Sequence, residues 1–462
     1  MRTLVVVISF FYLALPSFLT AQNVSTNTPK SFWERDTLTG DWGGTRSGLS
    51  DKGFDFGLEY TGEFLANVSG GASRGGLYQH LVKTLLDFDL EKMAGWKGAR
   101  FHASSLWLWG TRPNDIAGLT GSVYSDPSNI SGYDTCRLYE LWLEQSFFDG
   151  KFSVRAGQIA LDEEFICSDY ACLFISGTHG WPAFMSTTIP DGGPAYPVAG
   201  TGVRLDLKPA EKLELLAALV DGDVRDQASE NKYGTHFGFD SNEGVLCIAE
   251  MEFRINQKRG DQGLPGTYKL GGWYHTGHFN DLRYDNHGIS LEDDGTLSGQ
   301  ASDGIPAPHA GDGGIYFNLD QMLWRKTADL DQGVGIYWRI APWLLDDRNS
   351  LDFYTAGGVV CKGLVPGRDQ DVFGAGVSYA RVSNSLRGAQ SDADHIAAAG
   401  SMPNNLKPGP VPDYEMGFEA TYQIVLAPWW RLQPDFQYIV HPGGSTALAD
   451  AIVVGVRTQI SF

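Results

Sequence analysis

The sequence predicts an all-β fold, a transmembrane antiparallel β-barrel of about 16 strands. At the carboxyl terminus Val454 and Val456 share one face of a strand, whereas Arg457 and Gln459 share the other. Side chains alternate along a strand with a period of two, so this segment has one apolar and one polar face. Beyond the first residues, no apolar run reaches the roughly 20 residues of a membrane-spanning helix, so a membrane protein of this composition can span only as a closed barrel. The 57 glycines and 12% aromatic content suit tight turns and aromatic girdles.

The chain is expected to have three parts. Residues 1–21 have the pattern of a secretory signal peptide, with an apolar core from Leu4 to Leu15. Residues 22–52 form an amino-terminal periplasmic segment, in which Asp41 to Gly53 has the composition of a short helix. Residues 53–462 are expected to form the barrel. This length exceeds that of an ordinary soluble domain, but a large barrel can contain it as a single domain.

Sixteen segments have strand character, and their connections alternate in length. The predicted strands are 53–66, 78–89, 99–109, 136–148, 152–159, 200–207, 211–221, 243–255, 267–279, 314–324, 333–342, 350–362, 370–381, 413–426, 429–440 and 450–462. Long connections follow odd-numbered strands, at 110–135, 160–199, 222–242, 280–313 and 382–412. Connections after even-numbered strands are mostly short, which is typical of outer-membrane barrels and places both termini at the periplasmic end.

The connection at 160–199, after the fifth strand, differs from the other loops. It contains many apolar side chains, among them Phe174, Ile175, Trp181 and Phe184. A loop of this length within a compact fold is usually functional. We expect it to fold into the barrel and narrow the lumen; a lid over the mouth or a subunit contact is the alternative.

Several segments resemble the OprB-type carbohydrate-selective porins of bacterial outer membranes. They are Gly40–Arg46, Ala99–Ser104, Asp162–Trp181, Leu264–Gly271, Leu432–Tyr438, His441–Gly444 and Gly455–Thr458. The resemblance covers nearly the whole mature chain in order. It implies a sixteen-stranded barrel, constricted by inward-folded loops, that passes monosaccharides and related small carbohydrates by passive diffusion. It also implies an outer-membrane location, among lipid and lipopolysaccharide. A monomer and a homotrimer are both open, since lipid-facing and subunit-facing strands are both apolar.

A sugar channel needs planar charged groups that bond adjacent hydroxyls and aromatic rings that stack on C–H faces. Charged side chains that faced the lipid would be costly, so the polar face of each strand is expected to face the lumen. Both types of group occur on these inner faces. The candidate lining residues are Glu59 on the first strand, Arg100 and His102 on the third, Glu140, Trp142 and Glu144 on the fourth, Arg155 on the fifth, Arg339 on the eleventh and Arg457 on the last, with Asp162, Glu163 and Trp181 from the long loop. For each wall residue, the alternative is a solvated position away from the narrowest point.

Other functions have weaker support in the sequence. The net charge of −20 argues against a nucleic-acid partner. No motif predicts a cofactor, and an acidic structural loop is favoured over calcium at Asp162 and Glu163, because the spacing matches no EF-hand. No Gly-x-Ser-x-Gly elbow indicates an enzyme. A general or anion-selective porin, or an outer-membrane enzyme or adhesin, remains the alternative to a sugar channel.

Five cysteines are present, a departure from porins of this type, which usually have few or none. Cys167 and Cys172 lie five positions apart in the long loop. A helical turn or tight loop would bring their Cα atoms within disulfide range, whereas an extended segment would not. A disulfide that stiffens the loop and two buried thiols are the two possibilities.

Overall fold

A computed structural model describes residues 31–111, 115–225, 231–239, 243–258, 260–326 and 331–462. The expected signal peptide lies outside the described residues. Sixteen antiparallel strands close a barrel in chain order, and the first pairs with the last. They are β1 (Phe54–Ser69), β2 (Gly75–Asp89), β3 (Ala99–Gly110), β4 (Thr135–Phe147), β5 (Phe152–Ile159), β6 (Gly200–Ala210), β7 (Leu213–Asp221), β8 (Val245–Ile255), β9 (Gly266–Asp285), β10 (Pro306–Arg325), β11 (Gly333–Ala341), β12 (Leu351–Lys362), β13 (Val372–Val382), β14 (Tyr414–Ala427), β15 (Trp430–Val440) and β16 (Ala451–Ser461). The predicted fold class and strand number are confirmed.

Helices occupy only the connections and the amino-terminal segment. The α-helices are α1 (Thr45–Asp51), α2 (Leu90–Ala94), α3 (Ile116–Thr120), α4 (Ala183–Ser186) and α5 (Asn384–Ala398). Single 3₁₀ turns lie at Phe32–Glu34, Trp42–Gly44, Leu161–Glu163, Ala171–Leu173, Gly177–His179, Pro190–Gly192 and Pro442–Gly444. Within the described ranges, no helix is both long enough and apolar enough to cross a membrane.

The alternation of the last strands has the predicted sense. On β15, Phe436 is 46% exposed on the outer face, whereas its neighbour Gln437 is 2% exposed toward the lumen. On β16, Val456 is 38% exposed and Arg457 is 4% exposed. The apolar face therefore points outward and the polar face inward, the reverse of a water-soluble protein.

The amino-terminal segment packs beside the seam where the barrel closes. Arg46, at the start of α1, donates hydrogen bonds to the carbonyl oxygens of Phe462 (2.7 Å) and Phe56 (2.8 Å). The backbone N–H of Leu38 donates to the carbonyl of Ser461 at 2.8 Å. One guanidinium thus joins the two strands that form the seam, and the expected short helix before the first strand is present.

The largest differences from the sequence-based strand assignment lie at the long-loop end. Strands β9 and β10 are each 20 residues long and extend into the segment 280–313, which was predicted to be a loop. Arg283, on this extension, forms an ion pair with Asp392 of α5 at 2.9 Å. Helix α5 was not predicted; Ser383 caps its first turn by accepting a hydrogen bond from the N–H of Leu386. Helix α5 packs against the extended part of β9 and supplies the partner of Arg283.

The connection 160–199, here called the constriction loop, folds into the barrel as expected. Phe174, Ile175 and Phe184 are buried, and Trp181 is half-buried against the same cluster. The Phe174 ring packs against Gly374 of β13. A Cβ atom added to Gly374 would come within 3.2 Å of this ring. The absence of a side chain at this wall position lets the aromatic ring pack directly on the backbone.

Candidate functional site

Carboxylates on one side of the wall hold the constriction loop by its backbone. The N–H groups of Ile175 and Ser176 donate to Glu419 of β14 at 2.6 and 3.0 Å. Asp320 of β10 and Glu250 of β8 accept hydrogen bonds from other N–H groups of the same loop, at 2.8 and 2.9 Å. A loop without a strand partner must satisfy its buried N–H groups in another way, and these wall residues supply the acceptors.

Residues 115–134, here called the second inward loop, are held in the same way. The N–H groups of Val123, Tyr124 and Ser125 all donate to Glu415 of β14, at 3.0, 2.9 and 2.5 Å. Glu415 accepts a further hydrogen bond from the N–H of Gly443 at 2.7 Å. Charge-assisted bonds of this kind are stronger than neutral ones, so one carboxylate fixes a whole turn of the loop.

Arg339 of β11 supplies donors to the constriction loop. Its guanidinium donates to the carbonyl oxygens of Ile166 (2.7 Å), His179 (3.2 Å) and Gly180 (3.0 Å). The side chain is fully buried beneath the loop. Arg339 was predicted to line the lumen; it holds the loop backbone and also belongs to the lining of the cavity described next, and its contact with a sugar stays a prediction.

The two inward loops and the wall from β2 to β4 enclose a cavity of about 250 Å³. Its polar and aromatic lining includes Lys83, Asp126, Ser128, Asn129, Ser131, Tyr139, Asp162, Glu163, Asp169, His179, Trp181 and Tyr196. The volume is slightly below the range of about 300–1,000 Å³ that is usual for drug-sized ligands. The cavity therefore suits a small polar solute.

Lys83 and two acidic residues of the constriction loop form one wall of this cavity. The Lys83 ammonium pairs with Glu163 at 2.8 Å and lies over the ring of Tyr139. Asp162 accepts a hydrogen bond from the N–H of Tyr196 at 3.0 Å. Burial, together with the charge of Glu163, raises the pKa of the Asp162 carboxyl to about 7.

The second inward loop contributes an acidic group of similar character. Asp126 accepts a hydrogen bond from the N–H of Ser128 at 3.0 Å. Burial raises the pKa of Asp126 to about 7, and the charge of Asp115 opposes its ionisation too. Burial also lowers the pKa of His179 to about 3, with Arg339 adding to the effect. At neutral pH the imidazole is therefore uncharged.

A layered arrangement of side chains lies on the inner faces of β3, β4 and β5. The His102 ring stacks on Trp142, with centroids 4.8 Å apart, and the Arg155 guanidinium lies 3.8 Å from the centroid of the same indole. Since β3 and β5 lie on opposite sides of β4, the two groups flank the indole. Trp142 was expected to offer a face to sugar, but both faces are covered. Gly157 is opposite Trp142, and a Cβ atom there would clash with β4.

Two arginines and two glutamates form a closed network beside this stack. Arg155 contacts Glu144 and Glu164, each at 3.0 Å. Arg204 of β6 bonds Glu164 through two nitrogens, at 2.5 and 2.7 Å, and Glu144 at 2.7 Å. Equal numbers of opposite charges make the network neutral, and it fixes the start of the constriction loop to the wall.

Comparison with known proteins agrees with this architecture. A sequence profile described as the carbohydrate-selective porin, OprB family, matches residues 73–462. The chain belongs to the OprB family of carbohydrate-selective porins. It is similar to Porin B of Pseudomonas aeruginosa, with 27% identity over 446 residues that cover 94% of this chain and 92% of that protein. It is therefore a carbohydrate channel of the bacterial outer membrane.

Solved structures give the same result. The high-pH structure of Pseudomonas putida OprB matches with a TM-score of 0.81 and 25% identity, over 94% of this chain and 100% of that one. The low-pH structure of the same porin matches with a TM-score of 0.55 and 20% identity, over 93% and 99% of the two chains. The family and fold are those of a channel rather than an enzyme.

The remaining predicted lining residues of this OprB-family porin differ in their surroundings. Arg457 is paired with Glu63 at 2.6 Å and donates to Asn129 of the second inward loop. Arg100 and Glu59 are half-buried on their strands. Their predicted roles at the narrowest point remain predictions.

Glu140 and Trp181 already form hydrogen bonds with other groups of the protein. The Glu140 carboxylate accepts a hydrogen bond from the Trp142 indole at 3.3 Å and lies 3.8 Å from His102. The Trp181 indole donates to the carbonyl of Gly192 at 2.8 Å within its own loop. Their roles as sugar contacts stay predictions.

The site contains residues that the sequence reading did not single out, chiefly Lys83, Asp126 and Arg204. Lys83 and Arg204 have the inward phase of their strands, so the alternation that selected Arg155 would also have found them. Asp126 had no comparable signal, because its position depends on how the second inward loop folds.

The cysteines are unpaired in the structure. All five are free thiols, so the disulfide considered between Cys167 and Cys172 is not formed. The Cys167 thiol donates to the carbonyl of Asp162 at 3.1 Å, and the Cys172 thiol donates to the carbonyl of Asp169 at 2.8 Å. Each thiol is directed at a backbone carbonyl rather than at the other sulfur.

One cluster outside the lumen has metal-ligand chemistry. Ligand atoms of Asp285, His287 and Asp303 lie within 4.8 Å of one another at the long-loop end. Both oxygens of Asp285 already accept hydrogen bonds, from the N–H groups of His287 and Asp303 among others. These bonds shape the turns that follow β9 and precede β10. This structural role of Asp285 explains why the three side chains lie close together.

Proposed function

We propose that this porin passes monosaccharides and related small carbohydrates by passive diffusion, and that the cavity between the two inward loops is its selective step. The observation that carries the proposal is a cavity of about 250 Å³ lined by both hydrogen-bonding and aromatic side chains. A channel must bind its solute well enough to admit it and weakly enough to release it.

The proposed sugar contacts are groups with unused bonding capacity at the cavity surface. The Lys83 ammonium has three donor hydrogens, and Glu163 accounts for one hydrogen bond to it. The Ser131 hydroxyl belongs to the cavity lining, and its buried oxygen has no partner among the described residues. Tyr139 and Trp181 add apolar ring surface. A sugar offers hydroxyls around its rim and C–H groups on its faces, so this mixture is complementary to it.

The proposal does not depend on the number of subunits, because each barrel has its own lumen; a monomer or a homotrimer would serve. We also propose that the chain acts without catalysis. Small solutes and the surrounding lipid and lipopolysaccharide are then its only required partners.

The test is solute entry into liposomes that contain the purified porin. We expect glucose to enter faster than amino acids of similar size, and sugar to block the single-channel current. Glu163→Gln should weaken that block, since it removes the charge while keeping the size of the side chain. The same change at Glu211, which lies exposed in the turn between β6 and β7, is the matched control. Equal entry rates of sugars and amino acids would show that the protein is a general pore. An unchanged sugar block in Glu163→Gln would show that the sugar-binding site does not include Glu163.

A further inference from the structure

The cations at the cavity are already neutralised or engaged. Lys83 is paired with Glu163 at 2.8 Å. Arg339 directs its guanidinium to three backbone carbonyls of the constriction loop and is fully buried beneath it. His179 is uncharged at neutral pH for the reason given above. No other basic side chain of the described residues lines the cavity.

The acidic groups at the same surface outnumber these cations. Asp126, Asp162, Glu163 and Asp169 all line the cavity. Of these four, Glu163 is the one with an ion-pair partner among the described residues. Asp126 comes from the second inward loop and Asp162 from the constriction loop, so the acidic groups approach the solute from two directions.

Further carboxylates lie behind this surface and add to the same field. Glu163 and Glu140 act on Asp162 with a negative charge, and the N–H group of Tyr196 and the Lys83 ammonium oppose them. Asp115, Glu63 and Glu415 act on Asp126 with a negative charge, although Glu63 is itself paired with Arg457 at 2.6 Å. Clefts lined by one sign of charge with low-dielectric walls concentrate ions of the opposite sign and repel those of the same sign.

We infer that the cavity is a charge filter that admits neutral and amino sugars and excludes sugar acids, with Asp126 and Asp162 as the specificity-determining residues. This inference rests on the proposed function, because it concerns the same cavity. It goes beyond that proposal by naming the charge class of the solute. A sugar acid such as gluconate carries its carboxylate into a space with an excess of negative charge, whereas the ammonium group of glucosamine is attracted there.

The experiment compares glucose, glucosamine and gluconate as liposome-swelling solutes for the full-length porin at pH 8, where Asp126 and Asp162, each with a pKa of about 7, are charged. We expect gluconate to enter at least about tenfold more slowly than glucose, within the range of such steering effects. Glucosamine should enter at least as fast as glucose. In planar bilayers under a KCl gradient, the reversal potential should show cation selectivity.

The variants are Asp126→Asn, Asp162→Asn and their combination. The ratio of gluconate entry to glucose entry should rise in each single variant and most in the double variant, while cation selectivity falls. Asp149→Asn, in the exposed turn between β4 and β5, makes the same charge change away from the lumen and should leave both readouts unchanged. If a variant fails to form channels, the comparison of the three solutes in the wild-type porin still tests the inference by itself.

The outcomes separate this inference from the proposed function. Rapid glucose entry together with equally rapid gluconate entry would overturn the charge filter and leave the sugar channel intact. Glucose entry no faster than that of a neutral amino acid of similar size would overturn the proposed function itself. A double variant that still excludes gluconate would show that other residues set the charge preference.

Discussion

Replacing Arg339 should loosen the constriction loop without unfolding the barrel. The carbonyls of His179 and Gly180 have no other hydrogen-bond donor among the described residues, whereas Ile166 keeps a bond from Asn318 at 3.1 Å. A buried polar group left without a partner costs about 1–3 kcal/mol. Two such carbonyls make the closed loop of Arg339→Ala less favourable by about 3 kcal/mol, which is about a hundredfold change in the closed-to-open ratio.

The assay is single-channel recording in planar bilayers, with heat-modifiable gel mobility as the measure of barrel integrity. Arg339→Ala should give a larger and noisier conductance and a weaker sugar block. Arg339→Lys keeps the charge but loses the planar fork of donors, so its conductance should lie between wild type and Arg339→Ala. A folded Arg339→Ala barrel with wild-type conductance and sugar block would refute the reasoning.

Four further predictions follow from the same structure. Glu415→Gln places an amide among several N–H donors and should loosen the second inward loop by about 1–3 kcal/mol, visible as increased current noise. Raising the pH from about 6 to about 8 should increase cation selectivity, because Asp126 and Asp162, each with a pKa of about 7, are neutral below that value and charged above it; a pH-independent reversal potential would contradict this. Arg46→Ala should lower the unfolding temperature in detergent, since the barrel seam loses two hydrogen bonds. Alkylation of the unreduced, denatured protein should label Cys172 and the other four thiols; unlabelled pairs would indicate a disulfide.

The alternation of side chains along the strands predicted the barrel because the alternation depends only on the polarity of the medium at each face of a strand. In a bilayer the outer face must be apolar and the inner face can be polar, so each strand shows its orientation in its own residues. Arg457 was assigned to the lumen on this basis, and its side chain is directed there. The alternating lengths of the connections likewise follow from the two different ends of the barrel. These features are local, and the sequence therefore contains them directly.

The sequence could not show which inward residues remain accessible to a solute. Glu419 and Glu140 have the same inward phase, yet Glu419 accepts backbone N–H groups from a loop more than 240 positions away in the chain. Trp142 was correctly assigned to the inner face but not to the interior of a stack, because the covering groups come from two neighbouring strands. Accessibility depends on how the inward loops lie against the wall, and periodicity does not encode that arrangement.

The acidity of this chain has a structural source as well as a functional one. A loop that enters the lumen brings N–H and C=O groups without a strand partner, and each must be satisfied. Glu250, Asp320, Glu415 and Glu419 all accept backbone N–H groups, whereas Arg339 serves the carbonyls. These carboxylates contribute to the net charge of −20. The charge of a porin wall therefore cannot be equated with the charge that its solute meets, since the acidic residues that line the proposed cavity, Asp126, Asp162, Glu163 and Asp169, all belong to the inward loops.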